Sequence, residues 1–221
     1  MSAGQSHYPW VPPAIARVDA SAALECTVLF CDIRGFTRLL EHTPPRDAFI
    51  LIETFLRSLT SSVIAEGGSV NNLTGDGFLA QFGIGLADHT HALRAVNCAI
   101  EMRGRLKTLN LERHLGHVAT FAIGVGVNTG TIAGGEIRLG DHTSFLLIGD
   151  AINLASRIES LTKEFALDLL ISAATYSQVQ SHLTCLAMPP RAVKGRTEKL
   201  ATYWIPPHAR PVRSYSLHSI P

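Results

Sequence analysis

Residues 71–83 read NNLTGDGFLAQFG. Two short runs rich in strand-forming residues flank Gly75-Asp76-Gly77, and Asp-Gly between such runs is a strong signal for a β-hairpin. A hairpin pairs its strands antiparallel, so the sheet that holds it is expected to be largely antiparallel. The bend also carries a carboxylate, Asp76, between two glycines. Turn chemistry alone accounts for that arrangement. A turn that closes on a ligand accounts for it equally, and residues elsewhere must separate the two.

Outward from the hairpin, strands and helices alternate. LECTVLFCDI, 24–33, is an apolar run rich in β-formers and is expected to be a buried strand. PPRDAFILIETFLRSLTSSVIAE follows, with Phe49, Ile52, Leu56, Leu59 and Val63 at helical spacing, and Gly67-Gly68 ends it. Residues 88–113 read as a second helix with Leu93, Val96, Ile100 and Leu106 on its apolar stripe. VATFAIGVGVNTG, 118–130, reads as a strand whose glycines imply that something approaches the backbone closely. SFLLI is a further strand and GDAINLASRIESLTK a third helix, its core face formed by Ile152, Ala155, Ile158 and Leu161. LDLLIS, CLAMPPRAV and KLATYWI close the pattern as short strands, with a helical turn at 173–180. The division is an N-terminal arm at 1–22, one folded domain at 23–205 and a tail at 206–221.

Composition narrows the function. A formal net charge of +1 over 221 residues gives no electrostatic case for nucleic acid, and a hydrophobic fraction of 46% excludes a disordered chain. No apolar run approaches the ~20 residues of a membrane span, and the N-terminus lacks the pattern of a signal peptide. Cys26, Cys31, Cys98 and Cys185 form no CxxC pair and fit buried thiols in a reducing cytosol.

Two constellations carry chemistry. FCDIRGFT places Asp32 at the end of a buried strand, where an unpaired charge costs on the order of several kcal/mol. It caps the next segment, or it pairs with Asp76 from a neighbouring hairpin and the two share a divalent cation. Gly35 and the amides around Phe36 and Thr37 can cradle phosphate oxygens beside it. On the third helix Asn153 and Arg157 stand at i and i+4. They are a solvated surface pair, or an amide and a guanidinium aimed at a phosphoryl group.

Together these residues resemble the class III nucleotidyl cyclase catalytic domain, over about residues 24–205. TVLFCDIRGFT is similar to its first metal motif and GGSVNNLTGDGFLAQFG to its second. IGDAINLASRIE is similar to its transition-state motif and VKGRTEKLATYWI to its closing strand pair. The resemblance implies an α+β fold: a ferredoxin-like βαββαβ core extended to a mostly antiparallel sheet with helices. It implies two Mg²⁺ or Mn²⁺ ions held by Asp32 and Asp76 with help from the Ile33 carbonyl. It implies that Asn153 orients the ribose, that Arg157 neutralises the α-phosphate, and that Lys194, with Arg196 as fallback, meets the triphosphate. It implies a homodimer with two shared sites, while the cysteine pattern is what points to a cytoplasmic location.

The purine readers of that family are absent. Adenylate cyclases usually carry Lys four residues before the second metal aspartate, where this chain has Asn72. Three residues before the glycine of the third motif stands Leu146, in place of Asp or Thr. Guanylate cyclases would show Glu and a small polar residue. A subgroup of stand-alone bacterial pyrimidine cyclases of antiphage defence shares such altered readers, and the expectation is UTP converted to cyclic UMP for a separate effector. Adenylate and cytidylate cyclases are the alternatives. TGDGF also faintly resembles the GG[DE]EF hairpin of diguanylate cyclases, but Asn153, Arg157 and VKG argue against that reading. A catalytically inactive nucleotide-binding dimerisation domain is the other rival; such domains typically lose a metal Asp or the Arg, and both are kept here.

Overall fold

The computed structural model of the chain describes residues 23–41, 43–84, 89–115, 120–139, 142–194 and 196–207. The N-terminal arm and most of the C-terminal tail lie outside the described residues.

The apolar run is strand β1 (Ala23–Ile33). Its residues feed two cores. Leu29, Cys31 and Ile33 join one cluster, and Cys26 and Val28 join another on the opposite face. Burial on both faces explains why Val28–Cys31 is unbroken apolar sequence rather than alternating. The hairpin forms as read, from β2 (Ser69–Leu73) and β3 (Gly77–Phe82). β3 pairs antiparallel with β1, and β4 (Ile123–Leu139) pairs antiparallel with the other side of β1. With the helices between them, these strands give the βαββαβ core in the order β2-β3-β1-β4. β6 (Leu169–Ser172) then adds parallel to β4, followed by antiparallel β8 (Thr202–Trp204) and β7 (Leu186–Ala187). The expected α+β architecture and mostly antiparallel sheet are therefore what the chain adopts.

β4 is longer than its sequence suggests. It runs through Gly134 and Gly135 and pairs with β5 (His142–Ile148) along that extension. The short helix α1 (Phe36–Glu41) leads into α2 (Pro45–Ala65), which begins with proline inside its first turn. Of the expected stripe of α2, Leu59 and Val63 are buried, Ile52 and Leu56 pack half-buried against the core, and Phe49 alone departs from it, 70% exposed. Ala48 and Phe55 are buried as well. By length and composition α2 is also apolar enough to cross a membrane, contrary to expectation. It packs on the core instead, with Phe55 tilted against Phe121 at 5.0 Å between ring centroids. α3 (His91–Leu115) buries Val96, Cys98 and Met102 beside it. Arg103 of α3 forks onto Asp168 at 2.6 and 2.7 Å and also donates to the Ile205 carbonyl, tying this helix to the late strands.

α4 (Asp150–Glu164) covers the other face of the sheet. The glycines of β4 let it do so: a Cβ at Gly126 would run into the backbone of Ala155 and Glu159. The close approach expected over this strand is thus a helix lying directly on its backbone. α5 (Ala173–Val179) is capped by the Ser172 hydroxyl, which accepts from the Thr175 amide at 3.1 Å.

Candidate active site

Strand periodicity decides where Asp32 points. Residues 26, 28, 30 and 32 of β1 share one face, and Cys26, Val28 and Phe30 pack in the cluster that includes Ala151 and Ala155 of α4. Asp32 continues that face to the strand end, under the last turn of α4. Across the sheet it is registered with Gly77, the first residue after the hairpin tip. The Thr74 amide donates to the Gly77 carbonyl at 2.9 Å, closing the turn, and the Ile33 amide donates to the Asp76 carbonyl at 2.9 Å, tying the tip to β1.

The two glycines of the turn have different jobs. Gly75 sits at φ +85°, in the left-handed region, with open space where a side chain would be. Gly77 is needed for proximity: a Cβ there would overlap the Cys31 carbonyl and lie 3.2 Å from a carboxylate oxygen of Asp32. The hairpin tip is therefore pressed against Asp32, and the two carboxyls are neighbours. Burial holds the Asp76 carboxyl above its ordinary value, and the Asp32 charge adds to the shift. Two oxygen-donor groups of like charge side by side fit a hard divalent cation.

Around this pair lies a set of residues that motif reading passed over. Lys163, in the last turn of α4, reaches Asp32 with Nζ at 2.9 Å. The same ammonium lies 3.8 Å from Oε1 of Glu159, one turn earlier. Glu159 is only 5% exposed, and its Oε1 is buried without a hydrogen-bond partner. Burial raises the Glu159 carboxyl, with Asp32 contributing, against the opposing pull of Lys163 and Arg34. Arg34 donates to the Ile123 carbonyl at 3.2 Å, the Thr162 hydroxyl at 2.7 Å and the Leu167 carbonyl at 2.6 Å. It fastens the end of β1 to β4 and to the C-terminal end of α4. The i, i+4 spacing of Glu159 and Lys163 is visible in RIESLTK, but nothing in that spacing reveals a partner 131 residues away.

The remaining residues singled out from the sequence sit as follows. Gly35 takes φ +73° and its carbonyl accepts from the Leu39 amide at 3.1 Å, so Phe36 and Thr37 open α1 directly after the Asp32 strand. Phe36 packs against the main core and Thr37 is exposed. Asn153 is exposed and Arg157 half-buried on α4. Lys194 is exposed in the segment before β8. Arg196 is taken by Asp150 at the start of α4. Asn72 is exposed on β2 just past a bulge, opposite Leu79, and Leu146 is 41% exposed on β5, opposite Gly135.

Two carboxylates at a strand end and hairpin tip, under a helix bearing an amide and a guanidinium, are found in a chain whose residues 18–207 match the family described as Adenylate and Guanylate cyclase catalytic domain. The chain belongs to that family. Solved structures agree. This cyclase domain is similar to the adenylyl cyclase CyaB from P. aeruginosa, at 28% identity and a TM-score of 0.78, covering 86% of this chain and 98% of that one. It is also similar to the guanylyl cyclase Cya2, at 27% identity and a TM-score of 0.76, covering 82% and 91%. Among curated proteins it is 30% identical to an adenylate cyclase of Anabaena cylindrica over 87% of this chain, and 27% identical to adenylate cyclase 1 of Rhizobium meliloti over 81%. It spans 39% and 27% of the length of those two relatives.

Proposed function

We propose that this cyclase domain converts a nucleoside triphosphate into the 3′,5′-cyclic monophosphate and pyrophosphate, using two Mg²⁺ or Mn²⁺ ions at Asp32 and Asp76. The observation that carries the reading is the hairpin tip closed on the end of β1, which makes those two carboxyls neighbours. Divalent ions there supply the charge that activates a ribose 3′-hydroxyl and neutralises the phosphates. The 3′-oxygen forms a bond to the α-phosphorus as the bond to the β-phosphate oxygen breaks, and the hydroxyl proton leaves to solvent. The Ile33 carbonyl assists the aspartates. Gly35, Phe36 and Thr37 cradle phosphate oxygens, Asn153 orients the ribose, Arg157 offsets charge developing on the α-phosphate, and Lys194 meets the triphosphate.

A homodimer with shared sites is part of this reading, and the spacing on α4 supports it. Asn153 lies ten residues before Lys163, the residue that touches Asp32, which is ~15 Å along the helix and roughly 80° around it. That separation fits an Asp32 served by the Asn153 of a second copy rather than by its own. Leu73, Leu146 and Ile148 are exposed apolar side chains that such a partner would cover.

For the base, Asn72 and Leu146 favour a pyrimidine. The amide can serve O4 and N3–H of uracil, and leucine offers nothing to an exocyclic amine. UTP is the preferred substrate in this reading, with CTP served by a flipped amide. The expected cytoplasmic antiviral messenger and its separate effector rest on that base choice alone. ATP is the second reading, favoured by the adenylate cyclases among the relatives. Incubation with Mn²⁺ and each nucleoside triphosphate separately, with products resolved by mass, tests the reaction. Cyclic mononucleotide with equimolar pyrophosphate supports it. Cyclic dinucleotide, or no product, counts against it.

A further inference from the structure

We propose that Lys163 is a resident counter-ion of the metal site, holding Asp32 while the site is metal-free and passing to Glu159 when a divalent ion takes that carboxylate. The inference rests on the reading of Asp32 as a metal ligand and adds two positioning residues to it.

The geometry carries the argument. The Lys163 ammonium is 2.9 Å from Oδ2 of Asp32, so a divalent cation drawn to that carboxylate meets a positive charge already paired with it and competes with it. The ammonium has somewhere to go. It stands 3.8 Å from Oε1 of Glu159, and that oxygen is buried with no hydrogen-bond partner. A buried acceptor without a donor is costly, and a movement of roughly 1 Å by a flexible lysine end would satisfy it. Half of the Lys163 side chain is exposed, so the stem is free to swing, whereas Glu159 is held between α4 and the backbone at Gly124. Metal entry then exchanges one ion pair for another instead of breaking one outright.

The two residues should act on metal affinity with opposite signs. Free Mn²⁺, followed by its EPR signal during titration of the full chain without nucleotide, measures this directly. Lys163→Met removes the competitor and should tighten Mn²⁺ binding by at least about threefold. Glu159→Gln, isosteric in its buried site, removes the destination and should weaken binding by at least about threefold. In the Lys163→Met background the Glu159→Gln change should shrink to less than about twofold, because no lysine remains to be received. Circular dichroism confirms that each variant is folded, and Lys163→Gln serves if the methionine variant is not. Unchanged or weaker binding by Lys163→Met overturns the proposal, as does an additive effect of the two changes. Failure of the metal reading itself looks different: wild type and Asp32→Ala would then bind Mn²⁺ alike.

Discussion

The backbone N–H of Ile33 donates to the carbonyl of Asp76 across 2.9 Å, joining the end of β1 to the tip of the β2–β3 hairpin. That bond sets the spacing of the Asp32 and Asp76 carboxyls through the main chain. Either side chain can therefore be replaced without moving the other. Asp32→Ala and Asp76→Ala should each lower cyclisation at least about a hundredfold while leaving the circular dichroism spectrum unchanged. An alanine variant that keeps more than about a tenth of the activity contradicts the assignment of both aspartates to metal.

Gly77 and Gly75 should fail differently. Alanine at 77 must push the Cys31 carbonyl away from the hairpin, which should cost about 2–4 kcal/mol of stability. Alanine at 75 meets open space and suffers only the φ +85° backbone, which should cost about 1 kcal/mol. Urea denaturation of the two variants orders them, and equal losses would show that contact with β1 does not constrain the tip.

Protonation offers a third test. In metal-free protein, burial and then the Asp32 charge hold the Asp76 carboxyl above its ordinary 3.8. A folded-state value above the unfolded one means that the native chain binds the proton more readily. The resulting stability is complete below the unfolded value and is lost as pH rises through the folded one. In chelator, Asp76→Asn should flatten this decline and leave the protein more stable than wild type at neutral pH. Parallel urea midpoints for both proteins across the carboxylate range would refute it.

The shared site predicts complementation. Asp32→Ala and Arg157→Ala, each inactive alone, should recover activity when mixed, because one of the two sites in the mixed dimer has every residue. With random exchange, about half of the dimers are mixed and carry one working site of two, so recovery should approach a quarter of wild-type activity. No recovery, with subunit exchange verified, would place the whole site in one chain.

Much of this was legible in the sequence, for identifiable reasons. The hairpin declared itself because Gly-Asp-Gly between strand-forming runs has few other solutions, and β1 because a ten-residue apolar run is too costly to expose. β4 runs beyond the strand expected at 118–130, through Gly134 and Gly135; a side chain at Gly134 would collide with Phe145 and Leu147, so that glycine serves the β4–β5 pairing. Phe49 falls on the helical stripe of α2, but at that end the helix buries its neighbour Ala48 and leaves Phe49 exposed. Lys163 and Glu159 were missed because an i, i+4 pair on a helix is ordinary. Their meaning lies in Asp32, which only the packing of α4 over the glycines of β4 brings near.

Base choice can be moved by design. Asn72→Lys with Leu146→Asp should erode a preference for UTP by restoring partners for adenine, and Leu146→Ala should help larger bases by opening space. Ratios of kcat/KM for UTP and ATP in each variant measure both effects; ratios equal to wild type would mean that neither position reads the base.

The most direct measurement is a competition in which the protein receives Mn²⁺ and all four nucleoside triphosphates at equal concentration, with Asp32→Ala as the blank. Cyclic UMP should dominate, with pyrophosphate in equal amount, a preference over ATP of at least about tenfold or 1.4 kcal/mol, and no product from the blank. Cyclic AMP as the main product would overturn the base assignment, and the absence of any cyclic nucleotide would contradict the account of the site.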